Sequence, residues 1–159
     1  MRRSDRQVTE FSQIIDIIRR CDVCRIAVND GGAPYIVPLN FGMSVAGEKI
    51  TLYFHSATEG KKLDLFRKDP SACFELDCAH ALVSDAQKGY CTMNYESVIG
   101  YGVIRFIEDE AEKLAALRAI VNKYHPDGFE FSMSAVPRTA VYALDVSSLT
   151  AKARKKVQA

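Results

Sequence analysis

The sequence predicts a mainly β protein, a small antiparallel barrel of about six or seven strands with three helices packed outside it. Three observations carry this. Short runs rich in β-branched and aromatic residues are separated by turns too short to hold a helix, as at Asn29-Asp30-Gly31-Gly32, and such turns join antiparallel neighbours. Glycines recur inside strand-like segments, notably Gly100 and Gly102, where they mark a barrel bend or the close approach of another group. Helical periodicity is confined to three segments, whereas a doubly wound parallel sheet needs a helix after nearly every strand.

In chain order, residues 9–20 form the first expected helix. Phe11, Ile14, Ile15 and Ile18 recur at helical spacing, and Arg19 and Arg20 occupy the last turn, where cations are favoured. Residues 23–28 read as a strand, turned back by the Asn-Asp-Gly-Gly sequence into a second strand over 35–42. Pro38 inside that second strand cannot donate to a ladder, which predicts an edge or a bulge. Ile36, Pro38 and Asn40 fall on one face, with Val37, Leu39 and Phe41 on the other. A third strand spans 49–55 after a turn at Gly47. The period then changes over 56–66, a short helix stopped by Pro70. Residues 72–78 are strand-like, 80–88 are loop-like, and 92–107 read as one or two strands. Residues 109–124 give the clearest helix, with Asp109, Glu110 and Glu112 at its start and Leu114, Leu117, Val121 and Tyr124 as an apolar stripe. A last strand spans 139–146. One domain is expected over residues 1–152, followed by a polar tail over 153–159.

The chain has 159 residues, 48% apolar and 26% charged, with 21 Lys plus Arg against 20 Asp plus Glu. This is a globular composition. The net charge of +1 lacks the basic excess of a nucleic-acid binder, and the basic run of Lys152, Arg154, Lys155 and Lys156 reads as a solvated terminus. No apolar run reaches the length of a membrane span, and the first ten residues lack the apolar stretch of a signal peptide. A cytoplasmic protein with reduced thiols and no membrane or nucleic-acid partner is the expectation. Cys21-x-x-Cys24 has no second CxxC, so the five cysteines are expected chiefly as small buried hydrophobes, with no metal site.

The most informative stretch is LYFHSATEGKK, residues 52–62. Ser56 and Glu59 have the spacing of a capping box. Gly60, Lys61 and Lys62 then put a poor helix former and two cations where the helix dipole is already positive. A bound phosphate would reverse the sign of both penalties, since free N–H groups, two ammonium groups and a hydroxyl would converge on it. The alternative is a pair of solvated lysines on an exposed turn.

Taken together, YIVPLNFG, LYFHSATEGKK, CFELD and the Tyr95-Glu-Ser-Val98 strand with its glycines, followed by EDEAEKLAAL, resemble the nitroimidazole-resistance branch of the pyridoxamine 5′-phosphate oxidase-like flavoproteins. The resemblance covers residues 1–152. It implies an FMN-binding split β-barrel and a homodimer with FMN at the subunit interface. It places Lys61 and Lys62 on the FMN phosphate with Ser56 nearby, and the strand Val37, Pro38, Leu39 and Asn40 along the isoalloxazine edge. His55 stands beside the flavin on the substrate side, as the candidate catalytic residue. Tyr95, Ser97 and Val98 are contributed by the partner subunit. The implied activity is reduction of a small, planar, electron-poor compound, with a non-catalytic flavin-binding or redox-sensing protein as the alternative. The pyridoxamine phosphate oxidases have an arginine where this chain has Lys61, and a C-terminal segment with substrate-binding arginine and histidine that this chain lacks, so the resemblance does not extend to oxidation of pyridoxamine phosphate. Relatives in the wider superfamily bind haem or a deazaflavin; the Gly-Lys-Lys pattern favours FMN.

Overall fold

The computed structural model describes residues 3–154. Eight strands form one antiparallel sheet: β1 (Gln7–Val8), β2 (Cys24–Asp30), β3 (Ala33–Leu39), β4 (Gly42–Ala46), β5 (Lys49–Ser56), β6 (Ser71–Asp85), β7 (Tyr90–Phe106) and β8 (Ala140–Arg154). Helices α1 (Phe11–Arg20), α2 (Lys61–Lys68) and α3 (Glu110–Tyr124) pack around it, with a 3-10 turn at Met133–Arg138.

The strand order is β3-β2-β6-β7-β8-β5-β4, with β1 added on β8. The two end strands, β3 and β4, are consecutive in the chain and separated only by Asn40 and Phe41. A sheet whose opposite edges are tied by two residues must curl until those edges meet, which is the geometry of a split barrel. The expected strand over 35–42 is therefore two strands, one on each lip of the seam. Phe41, fully buried, pins the crossing. Gly42 follows because a Cβ there would stand 2.5 Å from the backbone of Ala119 and Ile120 on α3.

The inward faces of β2, β5, β6, β7 and β8 share one core with α1 and α2. Ile26, Leu52, Phe54, Phe74, Leu76, Val98, Tyr142 and Leu144 are all within 1% of complete burial. Phe54, Phe66 and Phe106 surround Tyr142, with ring centroids 5.3 to 6.0 Å away. On α1 the expected Ile14, Ile15 and Ile18 are buried and Phe11 is half-buried, while Ile17, outside the expected stripe, is buried as well. Across the helix end, Arg20 forks onto the carboxylate of Glu96, a nearly buried acid on β7. Asp109 caps α3 by accepting from the Glu112 N–H at 2.8 Å, a contact worth about 1 kcal/mol. Of the expected α3 stripe Leu117 is buried and Leu114, Val121 and Tyr124 are half-buried, with Ala116 and Ile120 completing the buried face.

Gly100 and Gly102 each admit a neighbour. A Cβ at Gly100 would meet the Phe74 ring at 2.5 Å, and one at Gly102 would meet the Asp145 carbonyl at 2.5 Å beside a register shift in the β7–β8 ladder. Part of the expected loop over 80–88 and the start of the expected tail over 153–159 are strand. β6 continues to Asp85 because Ala79, at φ 57°, forms a bulge that shifts the register between Cys78 and Ala81. β8 continues to Arg154, pairing with both β7 and β1. Lys155 and Lys156 lie outside the described residues. No described helix is long and apolar enough to cross a membrane.

Candidate functional site

β5 ends at Ser56, and the chain reaches α2 through Gly60, which adopts φ 138°. That conformation is open to glycine and strained for any other residue. It starts the helix at Lys61, so the capping box of Ser56 and Glu59 does not form. The Ser56 hydroxyl donates instead to the Ala57 carbonyl at 2.9 Å. Leu63 N–H and Asp64 N–H close on the Gly60 carbonyl at 2.9 and 3.4 Å. No side chain caps the helix, and the amides of Lys61 and Lys62 have no acceptor among the described residues. The acid in the first turn is Asp64, which lies 3.5 Å from Arg67 one turn on.

The two lysines are held differently. Lys61 Nζ lies 2.5 Å from an oxygen of Asp30 at the β2–β3 hairpin, and 5.1 Å from the centroid of the Tyr35 ring. Hydrogen bonding to Asp30 raises its pKa above the ordinary lysine value. Lys62 is half-buried and makes no ion pair with any described residue. The Lys61–Tyr35 contact brings the start of α2 beside β3, so the segments expected to take a phosphate and a flat ring are neighbours in space.

β3 is an edge strand, where Pro38 is tolerated. Alternate backbone groups of this strand point away from β2 with no strand partner. Val37 and Leu39 are half-buried against the core, Pro38 is exposed, and Asn40 Nδ2 donates to the Asp22 carbonyl at 3.4 Å. Tyr124 braces the same corner: its hydroxyl donates to Asp22 O at 2.7 Å and accepts from Phe41 N–H at 3.0 Å. Only the helical period of Tyr124 was legible in the sequence; the long-range contact carries no local signal.

Ser56 and Tyr142 face the barrel interior near the same end, since Ser56 pairs with Ala140 and Phe54 with Tyr142. Tyr142 Oη is buried and makes no hydrogen bond of ordinary geometry; burial pushes this phenol up to about 12, with the Ser56 hydroxyl close enough to offset part of the rise. A buried orphan hydroxyl of this kind implies a missing acceptor or donor. Nothing in the sequence separated Tyr142 from an ordinary strand tyrosine.

His55 is the penultimate residue of β5, and its side chain falls on the face opposite Ser56. There it lines an apolar cavity against α3 and the Met133–Arg138 turn. The residue is exposed at its rim, yet partial burial of the ring holds its pKa below the ordinary histidine value. On β7, Tyr95 and Ser97 point outward and line a groove of about 480 Å³ with Ile99, Thr150 and Lys152. Val98 is the exception among the expected ligand residues. It is fully buried in its own core, laddered to Leu76 and Ala151, and presents no side-chain surface. From Ile99 in the groove the same outer face continues with exposed Tyr101 and Val103 in alternation.

A curled antiparallel sheet whose edge strands β3 and β4 meet at one seam, with the doubly basic start of α2 set against β3, defines a split barrel. The chain belongs to the pyridoxamine 5′-phosphate oxidase family, whose profile matches residues 10–153. It is similar to a candidate 5-nitroimidazole antibiotic resistance protein from Bacteroides thetaiotaomicron, at 34% identity over 92% of this chain and 85% of that one, with a TM-score of 0.80. The fold is shared with the flavocytochrome Anf3 from Azotobacter vinelandii, at 19% identity over 98% and 72% of the two chains and a TM-score of 0.77. It is also shared with an FAD-binding protein from Mesorhizobium loti, at 21% identity over 94% and 98% and a TM-score of 0.67. A search of curated proteins by sequence gave no match.

Proposed function

We propose that the protein is a cytoplasmic, homodimeric FMN-dependent oxidoreductase that reduces a small, planar, electron-poor compound. The observation that carries this reading is the start of α2: free amides at Lys61 and Lys62, no side-chain cap, and a half-buried Lys62 without an acidic partner. These residues fit a phosphate dianion, which would complete every one of those groups at once. FMN, when bound, supplies an electron-carrying ring that no side chain provides.

In this reading the remaining residues take the following roles. Lys61 and Lys62 hold the phosphate, and Ser56 and the orphan hydroxyl of Tyr142 stand at the same end of the barrel. The free edge of Val37, Pro38, Leu39 and Asn40 offers backbone groups to the ring edge. The partner subunit's Tyr95 and the partner subunit's Ser97 form the second wall, and Val98 supports them from within the core. The exposed alternation of Ile99, Tyr101 and Val103 supports a second copy of this chain as what covers that face. His55, as a neutral imidazole, orients the substrate or holds a proton for it. The similarity to the Bacteroides protein supports a nitro-heterocycle as acceptor.

One observation favours a second reading, a flavin protein without efficient turnover: His55 points to the face of β5 away from Ser56. The visible spectrum of the purified protein separates the two. Flavin absorbance that bleaches with a reduced nicotinamide and returns with a nitroaromatic acceptor supports the oxidoreductase. Flavin that never turns over against a panel of such acceptors supports the second reading.

A further inference from the structure

The α1 helix ends at Cys21, whose N–H and thiol both close on the Ile17 carbonyl, each at 3.2 Å. A second thiol reaches the same oxygen from another element. Cys78 Sγ, on β6, lies 4.0 Å from it and 3.8 Å from Oε2 of Glu96. The two sulfurs are within hydrogen-bonding reach of each other. Cys78 directly precedes Ala79, whose φ of 57° goes with a shift of the β6–β7 register, and a bulge of this kind re-aims a side chain beside it. The spacing Cys21-x-x-Cys24 offers Cys24 as the partner of Cys21, but Cys24 is buried on β2 with Glu75 and Arg25 as its charged neighbours. Cys21 is fully buried and Cys78 half-buried, so a reagent from solvent meets Cys78 first. Burial pushes both thiols up, while the Cys21 thiol and the Arg20 guanidinium draw Cys78 back down.

We propose that Cys21 and Cys78 form a redox-active thiol pair that a hydroperoxide converts to an intramolecular disulfide, Cys78 reacting first and Cys21 second. In the first step the Cys78 sulfur, as thiolate, attacks one peroxide oxygen. The O–O bond breaks, Cys78 becomes a sulfenic acid, and the departing oxygen takes up the proton that the thiol gave away. In the second step the Cys21 sulfur attacks the Cys78 sulfur. The S–O bond breaks, the S–S bond forms, and hydroxide leaves as water with the Cys21 proton. The two thiols lose two electrons in all, and hydrogen peroxide is reduced to two waters. Exchange with a free thiol restores the pair. The bond ties the end of α1 to β6 beside the Arg20–Glu96 ion pair. The site does not rest on the flavin.

The test is peptide mapping by mass spectrometry. The folded full-length protein is treated with hydrogen peroxide, and the remaining thiols are then alkylated in denaturant. Exposed Cys91 is the internal control that the oxidant has acted. Wild type and Cys24→Ser should both yield a cross-link between the peptides that carry Cys21 and Cys78, and dithiothreitol should remove it. In Cys21→Ala the reaction should stop at a Cys78 sulfenic acid that dimedone labels. Cys78→Ala should leave Cys21 reduced and unlabelled. The proposal is overturned if wild type oxidised at Cys91 keeps Cys21 and Cys78 as free thiols, if Cys21 pairs with Cys24 instead, or if dimedone labels Cys21 in Cys78→Ala. The wild-type map decides even where a variant fails to fold.

Discussion

Lys61 is engaged by Asp30, 2.5 Å from its ammonium group, while the adjacent Lys62 is half-buried with no acid within ion-pair distance among the described residues. Two lysines that read alike in sequence therefore differ in what an arriving anion finds. Lys62 is free to meet it, whereas Lys61 is shared with a carboxylate that repels it. Replacing Asp30 by asparagine keeps the hydrogen-bonding shape and removes the repulsion. Asp30→Asn should tighten FMN by about two- to fivefold, in keeping with the small worth of exposed ion pairs. Fluorescence titration of the two proteins at equal ionic strength checks this, and weaker binding by the variant would make Asp30 a positioning group instead.

Gly42 carries a packing prediction. Its φ needs no glycine, but a Cβ there would stand 2.5 Å from the backbone carbon of Ala119 and nitrogen of Ile120. Neither atom can swing aside as a side-chain tip can. Gly42→Ala should force α3 off β4 and destabilise by about 1–3 kcal/mol or more. Urea unfolding measures it, and a variant with the wild-type midpoint would show that α3 moves freely on this lip of the barrel.

How much of this was readable beforehand depended on range. The isoleucine face of α1, the Asn-Asp-Gly-Gly hairpin, the edge placement of Pro38 and the packing role of Gly100 and Gly102 are local patterns, and each appears in the fold. Ser56 and Glu59 carried a true capping signature that the backbone overrode, because leaving β5 required the positive φ that Gly60 supplies. The extension of β6 was hidden by the bulge at Ala79, which shifts the register and breaks the alternation that would have announced a strand. Val98 looked like its neighbours Tyr95 and Ser97 until the ladder fixed which parity faces the core. Tyr142 had no signal at all, since the rings that enclose it come from α2, β5 and β7, far apart in the chain.

His55 should titrate below the ordinary histidine value of about 6.5, because its ring is partly withdrawn from water. The folded pKa is the lower one, so protons bind the unfolded chain more readily. The associated stability is present above the unfolded value and is lost as pH falls through the folded value. Imidazole proton shifts followed by NMR give the pKa directly. Thermal melts should show wild type losing more stability than His55→Gln between about pH 7 and pH 5, and equal losses would place the imidazole in open solvent.

The central claim is that the start of α2 holds a phosphate. The most direct measurement compares FMN with riboflavin, which lacks that group, on wild type and on the Lys61→Ala, Lys62→Ala double variant. Removing two charge-assisted contacts should weaken FMN by about a hundredfold and leave riboflavin nearly unchanged. The ligand-free variant should fold at least as well, since two cations leave a helix end that is already positive. Equal loss for FMN and riboflavin, or loss for neither, would contradict the account and return Lys61 and Lys62 to solvent-facing residues of an ordinary helix start.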